Sequence, residues 1–211
     1  MVTVERDSAL YILRHGETEW SVSGRHTGVT DIELTEAGEQ QARRAGLVIS
    51  ALRGTAVPPA RVFTSPRKRA IRTAELAGFE VDDTLDELAE WDYGDYEGLS
   101  TDEIRESVPG WTVWTHPVPN GEDAKEVSDR ADLVLARVKD LLPSGDIVLV
   151  GHGHFSRVLI ARWLGLPTDQ GVHFGLDAAG TVVLDHERGE PRVGRLNIPP
   201  LDLSRNVFEV D

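Results

Sequence analysis

The sequence of 211 residues contains no cysteine. Disulfides, thiolate metal sites and cysteine nucleophiles are therefore excluded, and the composition fits a reducing compartment. No apolar run approaches the roughly 20 residues of a transmembrane helix. Residues 1–7 are charged and lack the apolar stretch of a secretion signal. We therefore expect a cytoplasmic protein that does not enter a membrane.

Positive charge is also scarce, since the formal net charge is −14. Nucleic acids and anionic membranes are bound through an excess of Lys and Arg, so neither is predicted as a partner. A hydrophobic content of 40% is enough for one substantial core, and no segment marks a second one. We predict a single domain over residues 1–211. If such an acidic protein binds an anion, its positive groups must be concentrated in one place.

Short apolar runs alternate with segments of helical periodicity along the chain. Ala9–Leu13 and Asp146–Val150 are rich in Ile, Val and Leu and predict buried strands, and Arg61–Ser65 predicts a third. Thr35 is a candidate N-cap for the helix that follows it. Helices are predicted over 36–52, 67–77, 101–107, 122–142 and 154–164, with weaker strands over 175–184 and 192–196. This alternation predicts a three-layer α/β/α sandwich with a mostly parallel sheet.

A histidine follows each of the two most apolar strands. His15 lies in Leu-Arg-His-Gly-Glu and His152 in Val-Gly-His-Gly-His. Open parallel sheets bind ligands beyond the carboxyl ends of their strands, so both histidines are expected to face one crevice. A glycine directly after each histidine would let backbone N–H groups approach a ligand closely. Either histidine alone could equally be a satisfied structural residue, and the spacing does not rank the two.

Basic residues gather at a third strand end, in Thr-Ser-Pro-Arg-Lys-Arg-Ala over residues 64–70. In isolation this segment could be an ordinary solvated turn. Helix N-termini favour anions, however, and arginine forks match phosphate oxygens. Arg14 and Arg69, together with the two histidines, therefore predict a compact phosphate site. The residues indicate no metal cluster and no cofactor.

An acidic and aromatic segment, Glu90–Gly98, is the fourth candidate element. Most of its carboxylates are expected to be solvated. One carboxyl group at the edge of the phosphate site could serve as the proton donor to a leaving alkoxide.

Taken together, these segments resemble the histidine phosphatase superfamily, with its phosphoglycerate-mutase-like fold, over roughly residues 9–165. The resemblance implies that His15 is the nucleophile that becomes phosphorylated. It implies that Arg14, Arg69 and His152 hold the transferring phosphoryl group. Glu90 falls where the family has its general acid and base. No metal or cofactor is required by this chemistry.

The resemblance also suggests which residues contact the substrate. In the family's mutases the motif continues Trp-Asn, whereas this sequence has Trp20-Ser21. The Ser21 hydroxyl can donate to a phosphate oxygen, but it reaches less far than an amide. Thr27 lies in a Gly-Arg-His-Thr-Gly turn related to one in the mutases, which makes it a candidate phosphate neighbour. Substrate contacts are also expected from Arg25, His26, Gly153 and His154, the last two through backbone N–H groups.

Hydrolysis is expected rather than phosphoryl exchange. A mutase must hold a second, distal phosphate, whereas residues 91–125 carry eight carboxylates against only Arg105 and Lys125. The Glu90–Gly98 segment also resembles phosphatases, including acid phosphatases and sedoheptulose-bisphosphatase-like members. We therefore predict a phosphomonoesterase for small phosphorylated metabolites, with a bisphosphoglycerate-dependent mutase or a non-catalytic binder as alternatives. The sequence does not indicate an oligomeric state or the physiological substrate.

Overall fold

A six-stranded sheet forms the centre of the fold in the computed structural model, which describes residues 8–201. The strands are β1 (Leu10–Arg14), β2 (Arg61–Thr64), β3 (Asp83–Thr84), β4 (Ile147–Gly151), β5 (Thr181–Glu187) and β6 (Glu190–Ile198). Their order in the sheet is β3-β2-β4-β1-β5-β6. The first four strands in that order run parallel, β5 pairs antiparallel with β1, and β6 pairs antiparallel with β5.

Helices cover both faces of this sheet, because successive strand residues point to opposite sides. In β1, Leu10 and Ile12 pack against the helices over Ala124–Leu141 and Gly153–Trp163, whereas Tyr11 and Leu13 pack against those over Glu36–Arg53 and Lys68–Leu76. This confirms the predicted α/β/α sandwich. The helices are α1 (Glu19–Val22), α2 (Glu36–Arg53), α3 (Lys68–Leu76), α4 (Thr101–Ser107), α5 (Ala124–Leu141) and α6 (Gly153–Trp163).

The boundaries of the helices follow their caps. Thr35 caps α2 as predicted, and its hydroxyl accepts a hydrogen bond from the Gly38 N–H. Asp123 caps α5, so this helix begins at Ala124 and Glu122 lies outside it, contrary to the prediction. The two-residue strand β3 was not predicted, because two exposed polar residues have no hydrophobic pattern. Residues 175–180, predicted as part of a strand, are not in one.

The register of the parallel strands brings distant residues to one edge of the sheet. Arg14 pairs with Gly151, and the His15 N–H donates to the Gly151 carbonyl. The Ser65 N–H donates to the Val150 carbonyl. His15, Ser65 and His152 therefore emerge side by side from β1, β2 and β4, as expected for the carboxyl end of a parallel sheet.

Two general predictions concern the whole chain. Within residues 8–201, no helix combines the length and the apolar composition that a membrane span requires. The single domain over 1–211 stays a prediction, and residues 1–7 and 202–211 lie outside the described part of the chain.

A buried ion pair joins the beginning of the sheet to α2. The Asp146 carboxylate accepts from the Arg53 Nε–H at 2.9 Å and from the Ala9 N–H at 3.0 Å, with both side chains less than a tenth exposed. Asp146→Ala would leave the buried Arg53 guanidinium without its carboxylate partner, so we expect the free energy of unfolding to fall by about 3–5 kcal/mol. Urea denaturation measures this loss. Arg43→Ala, which removes a partner of the exposed pair with Glu39, should cost far less, and equal losses would contradict the prediction.

Candidate active site

A cleft of about 230 Å³ opens at the carboxyl edge of the sheet. Its lining contains nine of the predicted site residues: Arg14, His15, Ser21, Arg25, His26, Thr27, Glu90, Gly153 and His154. Arg69 and His152 are fully buried and do not line it. The His15 and His152 rings are nonetheless in edge contact, with their centroids 5.3 Å apart.

His15 lines the cleft with one ring nitrogen whose lone pair is free. Its Nδ1 lies 2.7 Å from the Gly16 carbonyl, which can only accept, so Nδ1 carries the proton of the neutral ring. Nε2 has no hydrogen-bond partner among residues 8–201. Burial, and then the charges of Arg69 and Arg14, hold the pKa of His15 well below 6.5. A neutral imidazole with a free Nε2 is a competent nucleophile.

Arg14 has a donor that the described protein does not satisfy. Its Nη1 donates to the Leu176 carbonyl at 2.6 Å, but its buried Nε–H has no partner in the described structure. The guanidinium also lies against Gly153, where a Cβ would come within 3.3 Å of Arg14 Nε and Cζ. Glycine at 153 therefore leaves room for this arginine, which lines the cleft.

The other two predicted phosphate ligands are bound to protein atoms. The Arg69 guanidinium donates to the carbonyls of Thr27, Gly28 and Thr30. Its Nε–H donates to His152 Nδ1 at 3.2 Å, which makes Nε2 the protonated nitrogen of His152. That Nε2–H donates to the Ser65 hydroxyl at 2.6 Å. The four bonds of Arg69 use all but one of its N–H groups, and both ring nitrogens of His152 are occupied, so direct contact of His152 with a phosphoryl group would require its bonds to be exchanged.

Glu90 is held by backbone N–H groups. Its Oε1 accepts from Trp91 and Phe155 at 2.9 and 2.7 Å, and its Oε2 accepts from His154 at 3.0 Å. Two of these donors lie at the N-terminus of α6, and together the three hold both carboxyl oxygens of Glu90 in one orientation. The N–H of His154, predicted to contact the substrate, is thus already used by Glu90.

Two hydroxyl groups predicted as phosphate neighbours are also used locally. The Ser21 hydroxyl donates to the Thr18 carbonyl and accepts from the Thr18 N–H in the capping box of α1. The Thr27 hydroxyl donates to the Arg25 carbonyl at 3.1 Å. Both residues line the cleft, but neither hydroxyl is free to donate to a ligand without losing its present partner.

Three neutral rings, those of His26, Tyr93 and His154, form part of the cleft wall. The Tyr93 hydroxyl lies 2.6 Å from His154 Nδ1, and the His26 ring packs against the Tyr93 ring with the centroids 4.6 Å apart. Burial lowers the pKa of His26 to about 4, holds that of His154 well below 6.5 and raises that of Tyr93 well above 10. The wall is therefore uncharged at neutral pH. Trp111 and Trp114 are buried in the core.

Five further residues of the cleft lining were not predicted: Gly24, Tyr93, Thr101, Arg157 and Leu176. Arg157, one turn into α6, lines the cleft while donating to the carbonyls of Gly171 and Val172 and lying over the Trp114 ring. The position of Arg157, five residues after His152 on a helix that starts at the site, was the available signal.

Gly16 is required for packing and not, as predicted, for the approach of backbone N–H groups to a ligand. A Cβ there would lie 2.3 Å from the Gly38 carbonyl oxygen of α2, and the Gly16 N–H donates to the Thr73 hydroxyl. Glycine is required by the close packing of α2, and its N–H is not free to approach a ligand. Among the described residues, no three His, Asp or Glu side chains form a group that could hold a metal ion.

The sheet and cleft together have the arrangement of a phosphoglycerate-mutase-like protein. The model of the histidine phosphatase superfamily, branch 1, matches residues 10–199. The chain belongs to this superfamily, which confirms the predicted family and fold.

Relatives and solved structures agree with this membership. The chain is 45% identical to a Mycobacterium tuberculosis acid phosphatase over 92% of its own length and 94% of the relative. It is 36% identical to a Saccharomyces cerevisiae sedoheptulose 1,7-bisphosphatase, over 74% and 67%. The structure of an M. tuberculosis open-reading-frame product superposes with a TM-score of 0.88 at 44% identity, covering 93% of this chain and 100% of that one. The predicted phosphatase-type enzyme is confirmed.

The buried histidines predict a loss of stability in acid. The unfolded chain protonates His26 near pH 6.5, whereas the folded protein does so near pH 4. The unfolded state therefore binds more protons between these values, and stability falls as the pH falls. His26 alone should contribute a loss of about 3 kcal/mol between pH 7 and pH 4. Urea denaturation across this range tests it: His26→Gln should flatten the pH dependence, and an unchanged slope would contradict the assignment.

Proposed function

We propose that this protein hydrolyses small phosphomonoesters through a phosphohistidine formed on His15. The observation that carries the proposal is the state of His15, whose neutral ring directs an unpaired Nε2 towards a cleft lined by Arg14 and Glu90. An enzyme of this kind divides a difficult hydrolysis into two easier phosphoryl transfers.

In the first step, His15 Nε2 attacks phosphorus in line with the ester oxygen. The N–P bond forms while the P–O bond to the alcohol breaks, and its electron pair leaves with the oxygen. Negative charge on the equatorial oxygens is stabilised by the charge of Arg14, which lines the cleft, and by the buried charge of Arg69. Glu90, also in the cleft lining, gives the alkoxide its proton.

Glu90 must carry a proton when the ester bond breaks, and the substrate is one source of it. A phosphomonoester has a second pKa of about 6, so a monoanionic ester can supply one proton to Glu90 on binding. In the second step Glu90, again a carboxylate, removes a proton from water. That water attacks the phosphohistidine, breaks the N–P bond and releases inorganic phosphate.

Hydrolysis is favoured over mutase chemistry by the partners of the remaining arginines in the cleft lining. A mutase needs further cationic groups for a second phosphate. Apart from Arg14, the lining contains Arg25, which faces Glu103 at 3.8 Å and donates to the Gly98 carbonyl, and Arg157, which donates to two carbonyls. The relatives named as an acid phosphatase and a sugar bisphosphatase support the same choice.

The nucleophile is tested by His15→Ala. We expect turnover of 4-nitrophenyl phosphate to fall by on the order of 10⁴-fold or more, with loss of the acid-labile phosphoprotein that rapid quenching detects in wild type. The matched control is His173→Ala, which removes an exposed histidine outside the cleft and should leave both signals intact. Labelling that survives in His15→Ala would refute the assignment.

The wild-type protein of that experiment also distinguishes hydrolysis from phosphoryl exchange. Phosphate release from sugar phosphates is compared with isomerisation of 3-phosphoglycerate in the presence of its bisphosphate primer. Efficient isomerisation with negligible phosphate release would establish a mutase instead.

The role of Glu90 is tested by Glu90→Gln, which keeps the size of the side chain and removes its proton chemistry. We expect kcat/KM for alkyl phosphates to fall by about 10²- to 10⁴-fold. The loss for 4-nitrophenyl phosphate should be much smaller, because nitrophenolate leaves without a proton. Equal losses for both classes would show that Glu90 is not the acid.

A further inference from the structure

Glu90 lies in an irregular segment that the sheet does not position. It follows a 3₁₀ turn, Asp86–Leu88, and precedes a second one, Gly94–Tyr96. The three backbone N–H groups fix its carboxylate oxygens, but they do not fix the chain that carries it. An acid must stay within hydrogen-bond reach of the leaving oxygen, so something else has to hold this backbone.

Arg130 of α5 binds that backbone directly. Its Nη1 donates to the carbonyls of Glu87 and Ala89, each at 2.8 Å, and its Nη2 lies 3.4 Å from the Glu90 carbonyl. The remaining donors pair with both carboxylate oxygens of Glu122 at 2.8 Å. Every N–H of the guanidinium fork thus has an acceptor, in a side chain that is only 16% exposed.

Glu122 holds the other side of the same segment. Its Oε2 accepts from the Asp92 N–H at 2.9 Å, and its own N–H donates to the Asp92 carbonyl. Its backbone carbonyl accepts from the Trp91 indole at 2.9 Å. The ion pair of Arg130 and Glu122 therefore binds the backbone on both sides of Glu90, between residues 87 and 92.

A second contact links this ion pair to the carboxylate of Glu90. The Arg130 guanidinium lies 4.2 Å from the centre of the Phe155 ring, and the Phe155 N–H is the shortest donor to Glu90, at 2.7 Å. Neither Arg130 nor Glu122 lines the cleft, so neither is placed to touch a substrate.

We infer that the Arg130–Glu122 pair is the positioning device for the proton donor Glu90. This rests on the proposed function, in which Glu90 protonates the leaving oxygen. A planar fork with five directed donors is needed to reach three carbonyls and one carboxylate, which a lysine ammonium cannot do. Loss of the fork releases the backbone of Glu90 while the nucleophile and the phosphate end of the cleft are left in place.

The test is the dependence of kcat/KM on leaving-group pKa across a series of aryl and alkyl phosphates. For Arg130→Met we expect alkyl phosphates to lose about 10- to 100-fold and 4-nitrophenyl phosphate to change by less than about threefold, since its departure needs no proton. Arg130→Lys, which retains the charge and most of the volume, should show the same steeper dependence. A uniform loss across the series in the folded lysine variant would overturn the inference.

Two comparisons make the result specific. Arg162→Met breaks another fork-to-carboxylate pair between α6 and α5, with Asp132 at 2.8 Å and far along α6 from the cleft, and should leave the slope unchanged. In the Glu90→Gln background, Arg130→Lys should steepen the slope no further. If Glu90→Gln itself leaves the slope unchanged, the proposed acid role fails. If Glu90→Gln steepens it and Arg130→Lys does not, only the positioning inference fails.

Discussion

Arg69 is a fully buried positive charge, and the geometry of the site depends on the groups that accept its hydrogen bonds. Its donors bind three carbonyls of the loop over residues 27–30 and the Nδ1 of His152. A buried guanidinium without such acceptors would be prohibitively costly. One side chain from α3 therefore ties the cleft loop to the end of β4 and also lowers the pKa of His15.

The N-terminus of α6 shows how the donors of the site are divided. In an acidic protein that binds phosphate, these N–H groups were expected to serve the anion. Two of them bind Glu90 instead. The Nε–H of Arg14 has no partner in the described structure. In the proposed mechanism, anion binding and proton transfer thus use separate groups.

Much of the fold could be predicted because its signals are local. A run of Ile, Val and Leu predicts a buried strand whatever follows it, and Thr35 is a recognisable cap. Helix α4 lies over residues 101–107 as predicted. The boundaries of α5 and the strand β3 depended instead on a neighbouring cap and on an exposed pairing, which periodicity does not report. The candidate residues of the cleft were predicted because each follows a strand end or belongs to a family motif.

The amino-acid sequence was enough to predict the sheet and the clustering of basic groups in an acidic chain, since these follow from periodicity and charge, and the family resemblance ranked His15 above His152 as the nucleophile candidate. Which atoms are free to react depended on tertiary contacts. The ring nitrogens of His152 bind Arg69 and Ser65, and Gly16 accommodates α2 rather than a ligand. Arg130 reaches the carbonyl of Glu90 across 40 residues of sequence. These outcomes depend on contacts between distant segments, and no local pattern encodes which donor meets which acceptor once the chain is folded.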